Sequence, residues 1–182
     1  MSETKVDIQP EMTMEQIMGI VPAAQRALFQ RFHVGGCSSC GYEPTDTLLK
    51  VCKDHNLLDI NGVVETIVLA HETDQKMQVL PSTVKGWLEA GELGRFLDVR
   101  TPDELAKAKI EGAEALDYNN SDAYMQLPKD TKMVFFCHNG DRSLDVASYF
   151  IGHGFKEAYS MRGGITAWSD EVDSNVPKYE LE

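Results

Sequence analysis

The sequence predicts an α/β domain built on a parallel sheet and flanked by helices, preceded by a small all-α domain. Three observations carry this. Residues 1–76 space their apolar side chains as helices do, with no alternating strand pattern. From residue 77 onward, short continuous apolar runs alternate with amphipathic segments, which is the sequence form of a parallel sheet covered by helices. Between the two patterns lies a polar stretch, residues 71–78, which is the best candidate linker, although some of it could extend the fourth helix, and the boundary is set near Lys76.

In the first part, Thr13 followed by Gln16 forms a capping box for a helix running to about Ile20. Pro22 suits the first turn of a second helix over residues 23–32, which Gly35 and Gly36 should end. A third helix is expected from about Thr45, presenting Leu48, Leu49 and Cys52 on one stripe. A fourth, from about Asn61, presents Val64, Ile67 and Val68.

In the second part, residues 96–99, apart from Asp98, and residues 133–136 are apolar runs, as strands covered by helices on both faces should be. Further strands are expected at residues 77–80, 113–116 and 157–160. Thr101-Pro102-Asp103-Glu104 supplies an N-cap, a first-turn proline and acidic residues, a strong helix start. Helices over residues 82–90 and 143–152 complete the alternation.

Composition narrows the partners. The 182 residues are 42% hydrophobic and 25% charged, as in ordinary globular proteins. The formal net charge of -12, with no Lys/Arg cluster, argues against nucleic acid or an anionic membrane surface as partner. Residues 1–10 are polar and acidic, without the basic and apolar regions of a secretory signal, so a cytoplasmic location is expected. Cys37 and Cys40 are close together while Cys52 and Cys137 stand alone. That is not the pattern of a secreted disulfide scaffold, and thiol or metal chemistry in a reducing compartment fits better.

The densest chemistry lies in residues 133–150, which read as a buried strand, then Cys137-His138-Asn139-Gly140-Asp141-Arg142-Ser143, then a helix. A strand-to-helix turn can aim several backbone N–H groups inward as an anion nest, and a helix starting near Ser143 adds the positive end of its dipole. Arg142 contributes a full positive charge, Ser143 a hydroxyl donor, and Gly140 access to positive φ. Each favours negative charge at the sulfur, so the loop is expected to stabilise a thiolate, an anionic persulfide or a bound oxyanion.

Cys137-x-x-Gly140-x-Arg142-Ser143 resembles the active-site loop of rhodanese-type sulfurtransferases. Leu97-Asp98-Val99-Arg100-Thr101-Pro102-Asp103-Glu104 resembles the family's early strand-and-helix signature, and Gly163-Gly164-Ile165-Thr166-Ala167-Trp168 its closing glycine pair and tryptophan. The tail Val176-Pro177-Lys178-Tyr179 is similar to that of bacterial single rhodanese domains. The resemblance implies a rhodanese-like domain over residues 77–182. It also implies an activity: Cys137 takes sulfane sulfur from a persulfide or thiosulfate-type donor, holds it as a persulfide and passes it to a thiol or other nucleophilic acceptor. His138, Asn139, Gly140, Asp141, Arg142 and Ser143 would bind the substrate, and no cofactor would be required.

Asp98 and Arg100 are expected to form a structural ion pair, Gly163 and Gly164 a tight turn, Trp168 a packed aromatic, and His138 a solvent-exposed loop residue. Two departures stand out. Lys109-Ile110-Glu111 replaces a histidine and proline common in the family. Asp141 puts a carboxylate in the loop, which disfavours a doubly charged donor such as thiosulfate and favours a persulfidated thiol or protein. A cysteine-dependent phosphatase is the rival chemistry. Those enzymes resemble one another in placing five residues between cysteine and arginine, whereas four separate Cys137 from Arg142, and the smaller loop suits sulfur.

Cys37-Ser38-Ser39-Cys40 follows a helix in a Gly-rich turn. The pair is open to three chemistries: a redox or sulfur relay, two ligands to zinc or an iron–sulfur cluster, or a structural turn. Residues 12–69 resemble a small helical domain found alone or beside hybrid-cluster and iron–sulfur repair proteins. Two classes of function follow. In one, a sulfurtransferase works with sulfur donor and acceptor proteins or small thiols. In the other, an iron–sulfur or metal-binding carrier uses its rhodanese domain as a non-catalytic persulfide sensor or docking module. A homo-oligomer is compatible with both.

Overall fold

The computed structural model describes residues 6–35 and 41–181. The chain divides into two compact units, Met1–Gln75 and Lys76–Glu182, each with its own core.

The first unit is built from α1 (Met14–Ile20), α2 (Ala24–Phe32), α3 (Leu48–Asp54) and α4 (Ile60–Met77). Thr13 and Gln16 form the expected capping box, and Thr47 caps α3 by accepting from the Lys50 N–H at 3.2 Å. These two capping threonines meet in an antiparallel bridge, with Met14 N–H donating to Asp46 O at 2.8 Å and Leu48 N–H to Met12 O at 3.0 Å. The two helix starts are thereby held together over a core that includes Met14, Ile17, Leu28, Leu48 and Ile67.

Several expectations for this unit need correction. α2 stops at His33, which itself takes the left-handed conformation at φ 57°, so the glycines at 35 and 36 are not what ends it. α3 begins at Leu48, and its buried stripe is Leu48, Val51 and Cys52, the i, i+3, i+4 set, while Leu49 is exposed. Cys52 is packed core, and burial pushes its thiol up. The stretch read as a linker is helix as far as Met77. Glu72, Gln75 and Lys76 are good helix formers, no proline or glycine interrupts them, and polarity alone does not distinguish a surface helix from a linker. Cys37 and Cys40 lie outside the described residues.

The second unit contains β1 (Gln78–Val79), α5 (Pro81–Glu89), β2 (Arg95–Asp98), α6 (Pro102–Lys107), β3 (Glu114–Ala115), a 3-10 turn (Tyr118–Asn120), α7 (Ser121–Met125), β4 (Met133–Phe136), α8 (Asp141–Gly152), β5 (Ala158–Met161) and α9 (Gly164–Glu171). The five strands form one parallel sheet in the order β1-β5-β4-β2-β3. β4 is central and all four of its residues are buried. Its side chains alternate between two cores: Met133, Phe135 and then Cys137 join Phe150 and Ala147 of α8, while Val134 and Phe136 join Val84 of α5 and Ile165 and Trp168 of α9. The alternation explains why the strand reads as continuously apolar. α7 and α9 were not foreseen from the sequence, because α7 is only five residues long and Gly163-Gly164 reads as a turn.

Candidate active site

The carboxyl end of the central strand opens directly onto Cys137, the position where parallel sheets commonly place their chemistry. The Cys137 side chain is fully buried, as a core cysteine would be. Its polar surroundings set it apart. The Gly140 N–H donates to the sulfur at 3.1 Å, the Ser143 hydroxyl lies 3.6 Å away as a second donor, and the thiol reaches Asn139 Oδ1 at 3.9 Å.

The turn is held from behind by α9. Ile165 N–H donates to the Cys137 carbonyl at 2.8 Å, and Thr166 binds the His138 carbonyl through both its N–H (3.2 Å) and its hydroxyl (3.0 Å). Engaging these carbonyls fixes the loop backbone in the orientation that brings the Gly140 N–H to the sulfur. Such close approach requires glycine at 164, where a Cβ would overlap the Cys137 carbonyl oxygen. Gly140 is required for a similar reason: its φ is 106°, and a Cβ there would stand 3.1 Å from the Gly163 nitrogen.

Beneath the loop, Ser143 Oγ lies 2.8 Å from Ser160 Oγ, with Ser160 nearly inaccessible on β5. When Ser160 donates to Ser143, the single Ser143 proton is shared between the sulfur and the Gly140 carbonyl, 3.1 Å away, which also has the Leu144 N–H as a donor. In that arrangement the Ser160–Ser143 pair would relay hydrogen-bond polarity toward Cys137.

Arg142 sits differently from the expectation of a free positive charge in the loop. Its guanidinium is clamped by Glu104, Nη1 to Oε2 at 2.7 Å and Nη2 to Oε1 at 2.6 Å. This bidentate pair holds the Glu104 carboxyl down to about 2 and raises Arg142 above its already high value. Glu104 also accepts from Thr101 N–H and from the Tyr179 hydroxyl. Arg142 still borders Cys137, but with its charge largely countered.

Asp141 is the first residue of α8 rather than part of the loop. It is exposed, accepts from Asn139 Nδ2 at 2.8 Å, and stands in the first turn of the helix, where the dipole favours an acidic residue. His138 is not the solvent-exposed residue expected. Its ring stacks on Tyr179 at 4.6 Å between centroids, and its Nδ1 is buried without a hydrogen-bond partner. The C-terminal tail causes this by folding over the loop. The Tyr179 hydroxyl also accepts from Arg100 Nη1 at 2.8 Å. Arg100 and Asp98 form a buried pair (Nη2 to Oδ2 at 2.6 Å), with further bonds from Arg100 to the Ala108 and Glu104 carbonyls, and neither touches the sulfur.

Of the residues assigned from the sequence to this loop, Asn139, Gly140, Arg142 and Ser143 interact with Cys137, whereas the His138 ring turns to Tyr179 and Asp141 pairs with Asn139 at the start of α8. Glu104, Ser160 and Tyr179 join them without having been singled out for the site. Glu104 had shown itself only as a helix cap and Tyr179 only as part of a tail motif, while Ser160 carried no signal. Among the described residues no group of three or more His, Cys, Asp or Glu side chains is placed to hold a metal ion, and no helix is long and apolar enough to cross a membrane.

The fold and site together define a parallel α/β domain carrying a cysteine, hydrogen-bonded by the Gly140 amide and the Ser143 hydroxyl, at the end of its central strand. The chain belongs to the Rhodanese-like domain family, which matches residues 80–171, just over half its length. It is 34% identical over 82 residues to "Thiosulfate sulfurtransferase GlpE" of Pseudoalteromonas translucida, covering 44% of this chain and 78% of that protein. It is 29% identical over 104 residues to "Probable adenylyltransferase/sulfurtransferase MoeZ" of Mycobacterium tuberculosis, covering 56% of this chain but only 26% of that longer protein. Among solved structures, a rhodanese-like domain protein from Staphylococcus aureus is 25% identical with a TM-score of 0.45, over 57% of this chain and 98% of its own.

Proposed function

We propose that the second unit is a sulfurtransferase that carries sulfane sulfur on Cys137. The observation that carries this reading is the Gly140 amide aimed at the sulfur at 3.1 Å, with the Ser143 hydroxyl behind it and the loop pinned by α9. In the first half-reaction the Cys137 thiolate attacks the outer sulfur of a persulfide, R–S–SH. The old S–S bond breaks, its electron pair leaves on R–S⁻, and the proton stays on the transferred sulfur, giving Cys137–S–SH. An acceptor thiolate then attacks that outer sulfur and restores the Cys137 thiolate. No net oxidation occurs and no cofactor is consumed.

Countered Arg142 and exposed Asp141 give the loop little net positive charge, which favours a persulfide donor over thiosulfate. The test is intact-mass measurement after incubation with polysulfide or thiosulfate. A gain of one sulfur atom, absent in Cys137→Ser and faster with polysulfide, is expected. A chain that gains no sulfur at Cys137 from either donor overturns the reading.

The thiol pair Cys37 and Cys40 extends this proposal: tethered to the transferase, it would relay sulfur to Cys137 at raised effective concentration. Substituting both by Ser should slow loading from a protein persulfide donor, and unchanged loading would remove the relay. Stoichiometric iron or zinc lost in Cys37→Ser would instead assign the pair to metal binding.

A further inference from the structure

Beside the loop lies a cavity of about 370 Å³ that the sulfur chemistry above leaves unused. One wall is α8, which contributes Val146, Tyr149 and Phe150. The opposite wall is the 3-10 turn and α7, contributing Tyr118 and Tyr124. Its volume is that of a small-molecule site and its lining is mainly aromatic and aliphatic.

The cavity and the Cys137 loop share α8. Val146 follows Ser143 by three residues on the same helix, a displacement of about 4.5 Å along the axis. Arg142, Val146 and Tyr149 share one face of α8 by their i, i+4, i+7 spacing. Tyr118 anchors its hydroxyl on the Val99 carbonyl at 3.2 Å and stands close enough to Cys137 and Arg142 to sense the charge of both. A molecule lying in the cavity with its reactive end toward the loop would therefore face the outer sulfur of a persulfide on Cys137.

The charges on its walls select among molecules. Asp117 lines the cavity, Asp141 stands at the start of the helix that forms one wall, and the Arg142 guanidinium of that helix is engaged by Glu104. A negatively charged body would be repelled there, whereas an uncharged or cationic one would not.

We propose that this cavity seats the organic body of the acceptor, and that the acceptor is a small aromatic or alkyl thiol bearing no negative charge. The proposal rests on the sulfurtransferase reading and specifies its second half-reaction. The acceptor loses its thiol proton to solvent and its thiolate attacks the outer sulfur of Cys137–S–SH. The S–S bond breaks with its electron pair returning to Cys137, and R–S–SH departs.

The experiment loads the full chain with polysulfide, confirms the added sulfur by mass, and follows its discharge by benzyl mercaptan, 2-aminoethanethiol and 3-mercaptopropionate. Each rate is divided by the ionised fraction of the thiol. Benzyl mercaptan should exceed the third by about tenfold, the effect of burying some 50 Å² more apolar surface, and 2-aminoethanethiol should exceed it through the absence of charge repulsion. Val146→Phe, which fills the cavity, should bring the benzyl mercaptan to mercaptopropionate ratio toward one. If that variant does not fold, Tyr149→Ala at an exposed wall position should lower the same ratio. Asp117→Asn should speed discharge by mercaptopropionate. Loaded protein that discharges at equal rates to all three thiols, or keeps its ratio in the wall variants, overturns the cavity assignment and leaves the sulfurtransferase reading standing. Failure of Cys137 to load overturns both.

Discussion

At the scale of single residues, the site is a competition for a few protons. Ser143 has one hydroxyl proton and three acceptors within reach: Cys137 Sγ, Gly140 O and Ser160 Oγ. A Ser160 hydroxyl that donates to Ser143 withdraws as an acceptor and leaves that proton to the sulfur and the Gly140 carbonyl. Ser160→Ala should therefore slow persulfide formation at Cys137 about threefold, and Ser143→Ala about tenfold, in keeping with a hydrogen bond to a charged acceptor. Loading rates followed by intact mass would check this, and equal rates in wild type and Ser160→Ala would refute the relay. The loop itself was legible in the sequence because Cys137, Gly140, Arg142 and Ser143 are contiguous and their backbone demands are local. Ser160 was not, since nothing near it in the chain marks a serine that the parallel register of β4 and β5 brings under the loop. Likewise the stacking of His138 on Tyr179 depends on a tail forty-one residues away, and no local pattern reveals it.

At the scale of elements, Glu104 ties the start of α6 to the start of α8. It closes the capping box at Thr101 and simultaneously clamps Arg142. The capping role was readable from Thr101-Pro102-Asp103-Glu104. The clamp was not, because the two partners are thirty-eight residues apart. Its carboxyl is held at about 2 against an ordinary 4.5, Arg142 being the main cause. A depressed folded value means the contribution to stability is complete above about pH 4.5 and is lost as pH falls toward 2. Thermal unfolding measured between pH 7 and pH 2 should show this component, and Glu104→Gln should flatten it while lowering the melting temperature at neutral pH. A variant with an unchanged acid limb would show that the pair adds no stability. Helix boundaries were the less legible part at this scale. α4 continues through residues read as a linker, and α8 begins two residues early, taking Asp141 out of the loop.

At the scale of the whole molecule, the parallel sheet and its preceding helical unit followed from periodicity, whereas the strand order and the cavity beside α8 depend on packing that no local pattern encodes. The net charge of -12 makes the surface repel anions over distances that salt screens. Loading by thiosulfate should therefore accelerate on going from low salt to 0.5 M salt, roughly severalfold, while discharge to an uncharged thiol should barely change. Stopped incubations analysed by mass would measure both, and a thiosulfate rate indifferent to salt would show that local groups alone control access.

The hold of α9 on the Cys137 and His138 carbonyls has a temporal meaning. The backbone orientation that the reacting sulfur needs is created when the helix docks during folding. Each catalytic cycle then begins with the dipoles already set, and little rearrangement remains to oppose the passage of charge from one sulfur to the next.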